Sequence, residues 1–163
     1  MPENCFDQYS SCSRLELVKA YSGKLSAASA ADNSNVTVGK GNDTVSIGNG
    51  STITAGNGID TFVIGASDVS TSSVLTGSIS GFGVQDKIDL PGIAFGAQTT
   101  LAYTENSTNT GINLTVSDGT HAANLALLGA IASTFVISSD GNGGTLITDP
   151  ALDQHTKLAT PHA

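Results

Sequence analysis

GKGNDTVSI (residues 39–47) and AGNGIDTFVI (residues 55–64) decide how this chain is read. Both carry G-x-G-x-D-x-apolar, and they match position by position at an offset of 17: Gly39 with Gly56, Gly41 with Gly58, Asp43 with Asp60, Val45 with Phe62, Ile47 with Ile64. Between them IGNGSTITA (residues 47–55) is a degenerate copy, its Gly48 and Gly50 nine residues after Gly39 and Gly41. Gly50-Ser51-Thr52-Ile53 aligns with Gly41-Asn42-Asp43-Thr44-Val45 only if one residue is deleted, and the expectation is that the Asp is the one lost. Residues 30–38 read as a weaker rung, with Ser34 at the Asp position and Val36 at the apolar one. Text rich in Gly, Asn and Asp also builds ordinary hairpin turns. A 17-residue recurrence that keeps five positions and the apolar phase is harder to obtain from a plain meander.

The motif resembles the nonapeptide repeat GGxGxDxUx of the RTX family, in which U is a large apolar residue. The resemblance implies an all-β fold with a short parallel β-roll: each nonapeptide makes a turn and a short strand, two complete one coil, and turns two repeats apart stack on one side. Glycine lets the chain take positive φ and turn its carbonyls inward. Period-2 alternation then points Val36, Val45, Ile53 and Phe62 into the interior. The resemblance further implies Ca2+ held between stacked turns by the carboxylates of Asp43 and Asp60, with backbone carbonyls of Gly39, Gly41 and Asn42 and of Gly56, Gly58 and Ile59. Because the acidic turns fall on alternate rungs, one face is expected to take calcium and the opposite face to be dry.

With 163 residues the chain makes one domain, or one domain with a tail. Charged residues are few (12%), aromatic residues fewer (5%, no Trp), and Gly, Ser, Thr and Asn abound, the profile of a secreted, extracellular β protein. Acidic residues outnumber basic ones 14 to 6, a net charge of −8, which excludes a nucleic-acid partner and suits divalent cations. No stretch reaches membrane-spanning length, and the first 22 residues lack the basic and apolar runs of a secretory signal, so export is expected to use an uncleaved signal elsewhere. Cys5 and Cys12 either pair across a short loop or are incidental; their spacing is not that of a zinc site.

Residues 1–29 are expected to be a poorly ordered leader, with either a solvated tail or one short helix on which Leu15, Val18 and neighbouring apolar residues form a stripe. Residues 30–64 are the roll, residues 65–150 an antiparallel β cap and residues 151–163 a tail. From Ala66 the repeat stops. Ile88 and Leu90 alternate inward in a strand that Pro91-Gly92 should end, and candidate antiparallel strands follow at 99–104, 112–117, 122–128, 135–138 and 145–148. The punctuation is a polar loop over 105–111, a turn at Asp118-Gly119 and another in DGNGG (140–144). A roll has an open end that needs covering, and this segment is its cap.

ISGFGVQDKIDLPGIAF (79–95), TTLAYTEN (99–106), SDGTH (117–121), LLGAIASTF (127–135) and DGNGGTLITDP (140–150) are similar to the C-terminal domain that follows the repeats in bacterial proteins secreted by the type I route. With the roll, the resemblance covers about residues 30–163. It implies a type I secretion apparatus as partner and export information in this half.

No constellation for catalysis is visible, so the chain is read as no enzyme. His121 follows a hairpin turn and His155 and His162 lie near the end, none with Asp or Ser at a triad-like spacing. Asp86 and Asp89 are expected to flank Ile88 on an exposed face or to bind a second cation, and Asp140 in its glycine-rich loop is a similar case. Two functions remain: a non-catalytic calcium-binding secretion module, or a small surface adhesin that takes a carbohydrate or a host cell surface on its antiparallel face. Sugar sites favour exposed aromatic rings, and Tyr103 and the Phe residues are the few on offer.

Overall fold

Thr, Val, Ile and Phe at alternate positions suit a pleated surface buried on one side, and short strands form wherever the sequence sets that alternation between glycine-bearing turns. The computed structural model describes residues 18–19, 28–29, 31–65, 74–108, 110–129 and 134–149. The strands are β1 (Val18–Lys19), β2 (Ala28–Ser29), β3 (Asn35–Thr37), β4 (Thr44–Ile47), β5 (Ser51–Thr54), β6 (Thr61–Ile64), β7 (Leu75–Ser80), β8 (Lys87–Ala94), β9 (Thr100–Glu105), β10 (Gly111–Ser117), β11 (Ala122–Leu128), β12 (Val136–Ser139) and β13 (Gly144–Thr148). No helix occurs among the described residues, so the fold is all-β. None of them forms a helix long and apolar enough to cross a membrane.

Two mixed sheets hold these strands, in the orders β1-β3-β5-β7-β11-β10-β9 and β12-β13-β8-β6-β4-β2. From β3 to β8 successive strands alternate between the sheets, and each pairs in parallel with the strand two before it. Val36 faces Ile53 and Val45 faces Phe62, both at the 17-residue offset of the sequence repeat. The next rungs are wider: Ile53 faces Ile79 and Phe62 faces Ile88, each 26 residues on. Parallel pairing also begins earlier than residue 30, because β1 lies on β3 and β2 on β4. Val18 and Lys19 are therefore strand, not part of a short helix; apart from these two and Ala28–Ser29, residues 1–29, with Cys5 and Cys12, lie outside the described residues.

Nor does parallel order end where the repeat ends. β7 takes β11 in parallel, Ile79 facing Leu127, and antiparallel pairing starts only beyond, in β11-β10-β9 and β8-β13-β12. The inward rows run straight across that change of direction. One passes Val36, Ile53, Ile79, Leu127 and Ile112; the other passes Val45, Phe62, Ile88, Ile147 and Ile137. All but Ile137, which is partly buried, are at most 4% exposed. Burying each such side chain is worth about 1.5–3 kcal/mol, which is what binds the two sheets. Phe82 links Phe62 to Phe135, with ring centroids 6.3 Å apart on each side, and Tyr103 meets Phe135 edge-on at 5.3 Å.

Pro91-Gly92 does not end β8, which continues to Ala94. Pairing with β13 instead shifts register at Gly144/Thr145, from Thr145↔Leu90 to Gly144↔Ala94. An irregularity of this kind is where a strand accommodates a residue without an N–H. Gly144 is required there because a Cβ would press on the Cα of Pro91.

Candidate functional site

Two columns of turns flank the core. On one side Ser34 and Ser51 are buried; the Ser34 N–H donates to Ser51 Oγ at 3.1 Å, and Ser51 Oγ–H donates to the Ala31 carbonyl at 3.2 Å. Ser51 stands two residues before the inward Ile53, as Asp43 stands two before Val45. It therefore occupies the Asp position, and the residue missing from the middle copy comes from the turn ahead of it. The reason is register: Val36↔Ile53 fixes what lies two residues upstream, so only the turn can shorten.

On the other side the column is acidic. Asp43, Asp60 and Asp86 are 1%, 0% and 2% exposed. The Asp43 N–H donates to Asp60 Oδ1 at 3.0 Å, and the Asp60 N–H donates to Asp86 Oδ1 at 2.8 Å. Gly83 N–H adds a bond to Asp86 Oδ2 at 2.8 Å, while the Asp86 N–H turns back to the Gly83 carbonyl of its own turn at 3.2 Å. Asp60 and Asp86 thus each bind the backbone donor of the rung before them. The carbonyls stack likewise: Asp43 accepts Thr61 N–H and Asp60 accepts Lys87 N–H, both at 2.8 Å.

The structure brings the expected residues together in this column. Gly39 and Gly41 stack under Gly56 and Gly58, with Asn57 N–H donating to the Gly39 carbonyl at 3.2 Å and Gly41 N–H to the Asn57 carbonyl at 2.8 Å. Asn42 is exposed and its Oδ1 accepts Ile59 N–H at 3.0 Å, while Ile59 itself is exposed. Asp86 is the correction: it is not on an exposed face but forms the third rung of the acidic column. The signal was present in Gly81-Phe82-Gly83-Val84-Gln85-Asp86-Lys87-Ile88, a copy of the motif with one residue inserted. Gln85, at φ 77°, takes up that insertion.

Burial pushes the Asp60 carboxyl above its ordinary range; the bond from Asp43 N–H pulls against this, and the charges of Asp86 and Asp43 push it further up. Burial likewise raises Asp86 against the bonds from Asp60 and Gly83. Neither makes an ion pair among the described residues. Asp60 Oδ2 is buried without a hydrogen-bond partner, an arrangement that is costly for an oxygen carrying charge. A hard cation suits such an oxygen, so the donor set is compatible with Ca2+ at Asp43 and Asp60. Among the described residues no three Asp, Glu, His or Cys side chains converge on one point; the acids are stacked one rung apart instead.

The other candidates are separate. Asp89 is partly buried, with Oδ1 lacking a hydrogen-bond partner; burial and then the charge of Asp140 raise its pKa. Asp140 Oδ1 closes its own turn on the N–H groups of Asn142 and Gly144. His121 Nδ1 lies 3.0 Å from Asp118 Oδ2. Ser117 Oγ–H donates to the His121 carbonyl at 2.8 Å, so these three residues do not form a proton relay to a serine. His155 and His162 lie outside the described residues. No family model matches the chain, and comparison with curated proteins gives no match either.

Proposed function

We propose that this chain is a non-catalytic extracellular calcium-binding module of RTX type, a short parallel β-roll closed by an antiparallel C-terminal unit and exported by a type I apparatus. One observation carries the metal reading: Asp60 is a buried carboxylate stacked between two others, with one oxygen unpartnered and no cationic side chain paired to it among the described residues. Calcium supplies the missing positive charge. Asp43 and Asp60 would hold it, with carbonyls of the turns at 39–42 and 56–59 as further oxygen donors. Extracellular modules bind calcium at roughly 10⁻⁴–10⁻³ M, so the ion is taken up outside the cell. An ion that binds only the folded chain stabilises it by about 2.7 kcal/mol at a hundredfold excess over Kd.

Calorimetric titration with calcium chloride tests this. Asp43→Asn and Asp60→Asn should each weaken binding at least about tenfold, since ligand charge sets affinity in such sites. Thr52→Ala, on the outer face of the serine-side sheet, should leave binding unchanged. Equal binding by the wild type and the double Asn variant rejects the site. The export reading rests on the resemblance of residues 79–95, 99–106 and 140–150. Residues 65–163 fused to a passenger should carry it through a type I apparatus, and retention of that fusion inside the cell rejects this part.

A further inference from the structure

We infer that β9 is a self-pairing edge, through which two copies of this chain join antiparallel about a two-fold axis at Tyr103. β9 ends the seven-stranded sheet and, among the described residues, has β10 as its one neighbouring strand. The other strands at sheet ends are shorter: two residues in β1 and in β2, four in β12. β9 has six, in unbroken register with β10, and its sequence TLAYTE holds no Pro or Lys to blunt the edge. It belongs to the sheet opposite β4, β6 and β8, the strands that follow the acidic turns, so the inference stands apart from the calcium reading.

The Asn106 N–H donates to the Gly111 carbonyl at 2.9 Å, which makes these two a hydrogen-bonded pair of the antiparallel ladder. Such pairs alternate along a ladder, and the next are Thr104 with Asn113, Ala102 with Thr115 and Thr100 with Ser117. Leu101 and Glu105 therefore turn their backbone N–H and C=O groups to the open edge. About a two-fold axis at Tyr103, Leu101 of each copy meets Glu105 of the other and exchanges both bonds with it. That register keeps the two Glu105 carboxylates apart, whereas sliding the copies until they met would set like charges opposite. Leu101 packs on the core; Tyr103, on the same face, touches Phe135 and is otherwise exposed, so pairing covers its ring. Charge also favours a second copy. Residues 90–139 carry two carboxylates, Glu105 and Asp118, and no Lys or Arg, in a chain of net charge −8. A polyanion or polycation finds no grip there, while two copies meet without strong mutual repulsion. A contact of this kind uses the same strand on both sides and closes on itself.

Sedimentation equilibrium of the full chain over a dilution series should show monomer and dimer in exchange. Hydrogen exchange on the wild type needs no variant: the Leu101 and Glu105 amides should exchange about tenfold more slowly in concentrated than in dilute solution. Ala102 and Thr104 lie exposed on the outer face of β9, and in this register Ala102 of one copy faces Thr104 of the other. Ala102→Lys with Thr104→Lys should therefore give a monomer, as should Ala102→Glu with Thr104→Glu, and mixing the two double variants should recover a heterodimer. A chain that stays monomeric at every concentration overturns the inference, whether its own tail or a foreign strand covers β9. A dimer whose Leu101 and Glu105 amides stay unprotected overturns it too, as do double variants that each dimerise like the wild type.

Discussion

A Cβ on Gly56 would overlap the carbonyl oxygen of Gly39, and one on Gly58 would overlap that of Gly41. The stacked turns touch backbone to backbone, and Gly58 also sits at φ 146°, where a side chain is strained. Gly58→Ala is expected to destabilise the fold by about 3 kcal/mol, whereas Gly96→Ala, which meets open space, should stay within about 0.5 kcal/mol. Urea unfolding midpoints at unchanged m measure both; similar midpoints would mean that the turns are not closely stacked. These glycines are legible in the sequence because G-x-G recurs with the acid and the apolar residue in phase. Two neighbours were not. A one-residue gap in the middle copy can be placed in the turn or at the acid, and only the pairing of Ile53 with Val36 decides in favour of Ser51. Asp86 was hidden by the opposite change, an inserted residue that a fixed spacing does not tolerate.

Among the elements, the turn between β10 and β11 ties the two sheets together. Asp118 accepts the N–H groups of Thr120 and His121 in its own turn, the ring of His121, and the Ala94 N–H at the end of β8 in the other sheet. Burial opposes the charge, but the bonds from His121, Ala94 and Thr120 outweigh it and hold the carboxyl well below its ordinary value. A depressed folded pKa contributes stability that is fully present above the unfolded value, about 3.8, and is lost as pH falls through the folded one. The stability gap between wild type and Asp118→Asn should therefore be widest above about pH 5 and shrink steadily below about pH 4. Thermal melts across that range check it, and a gap that widens on acidification would refute it. The hairpin strands around this turn could be read from alternation and punctuation, with ends off by a residue. The parallel contact of β7 with β11 could not: Leu75 and Ala123 are 48 residues apart, and parallel partners need a long crossover with no local turn to announce it.

Over the whole molecule, the boundary drawn near residue 65 divides the sequence pattern but not the core. Apolar rows begun by the repeats are completed by strands that carry no repeat, because burial asks only for an inward side chain in register and not for strand direction. The acidic column, by contrast, does come to an end. Each of its first two backbone donors waits for the acid of the following rung, while Asp86 directs its own N–H to Gly83. That closure bears on assembly. A chain ending after residue 65 would present at its tip the Asp60 N–H and the Asp60 carbonyl that otherwise receives Lys87, the same pair that Asp43 offers to the rung above it. Such a tip is a seed: a second copy could add as the next rung and expose the same surface again, as in a growing fibre. With residues 81–87 in place the seed is sealed, and filament growth from that column has no template.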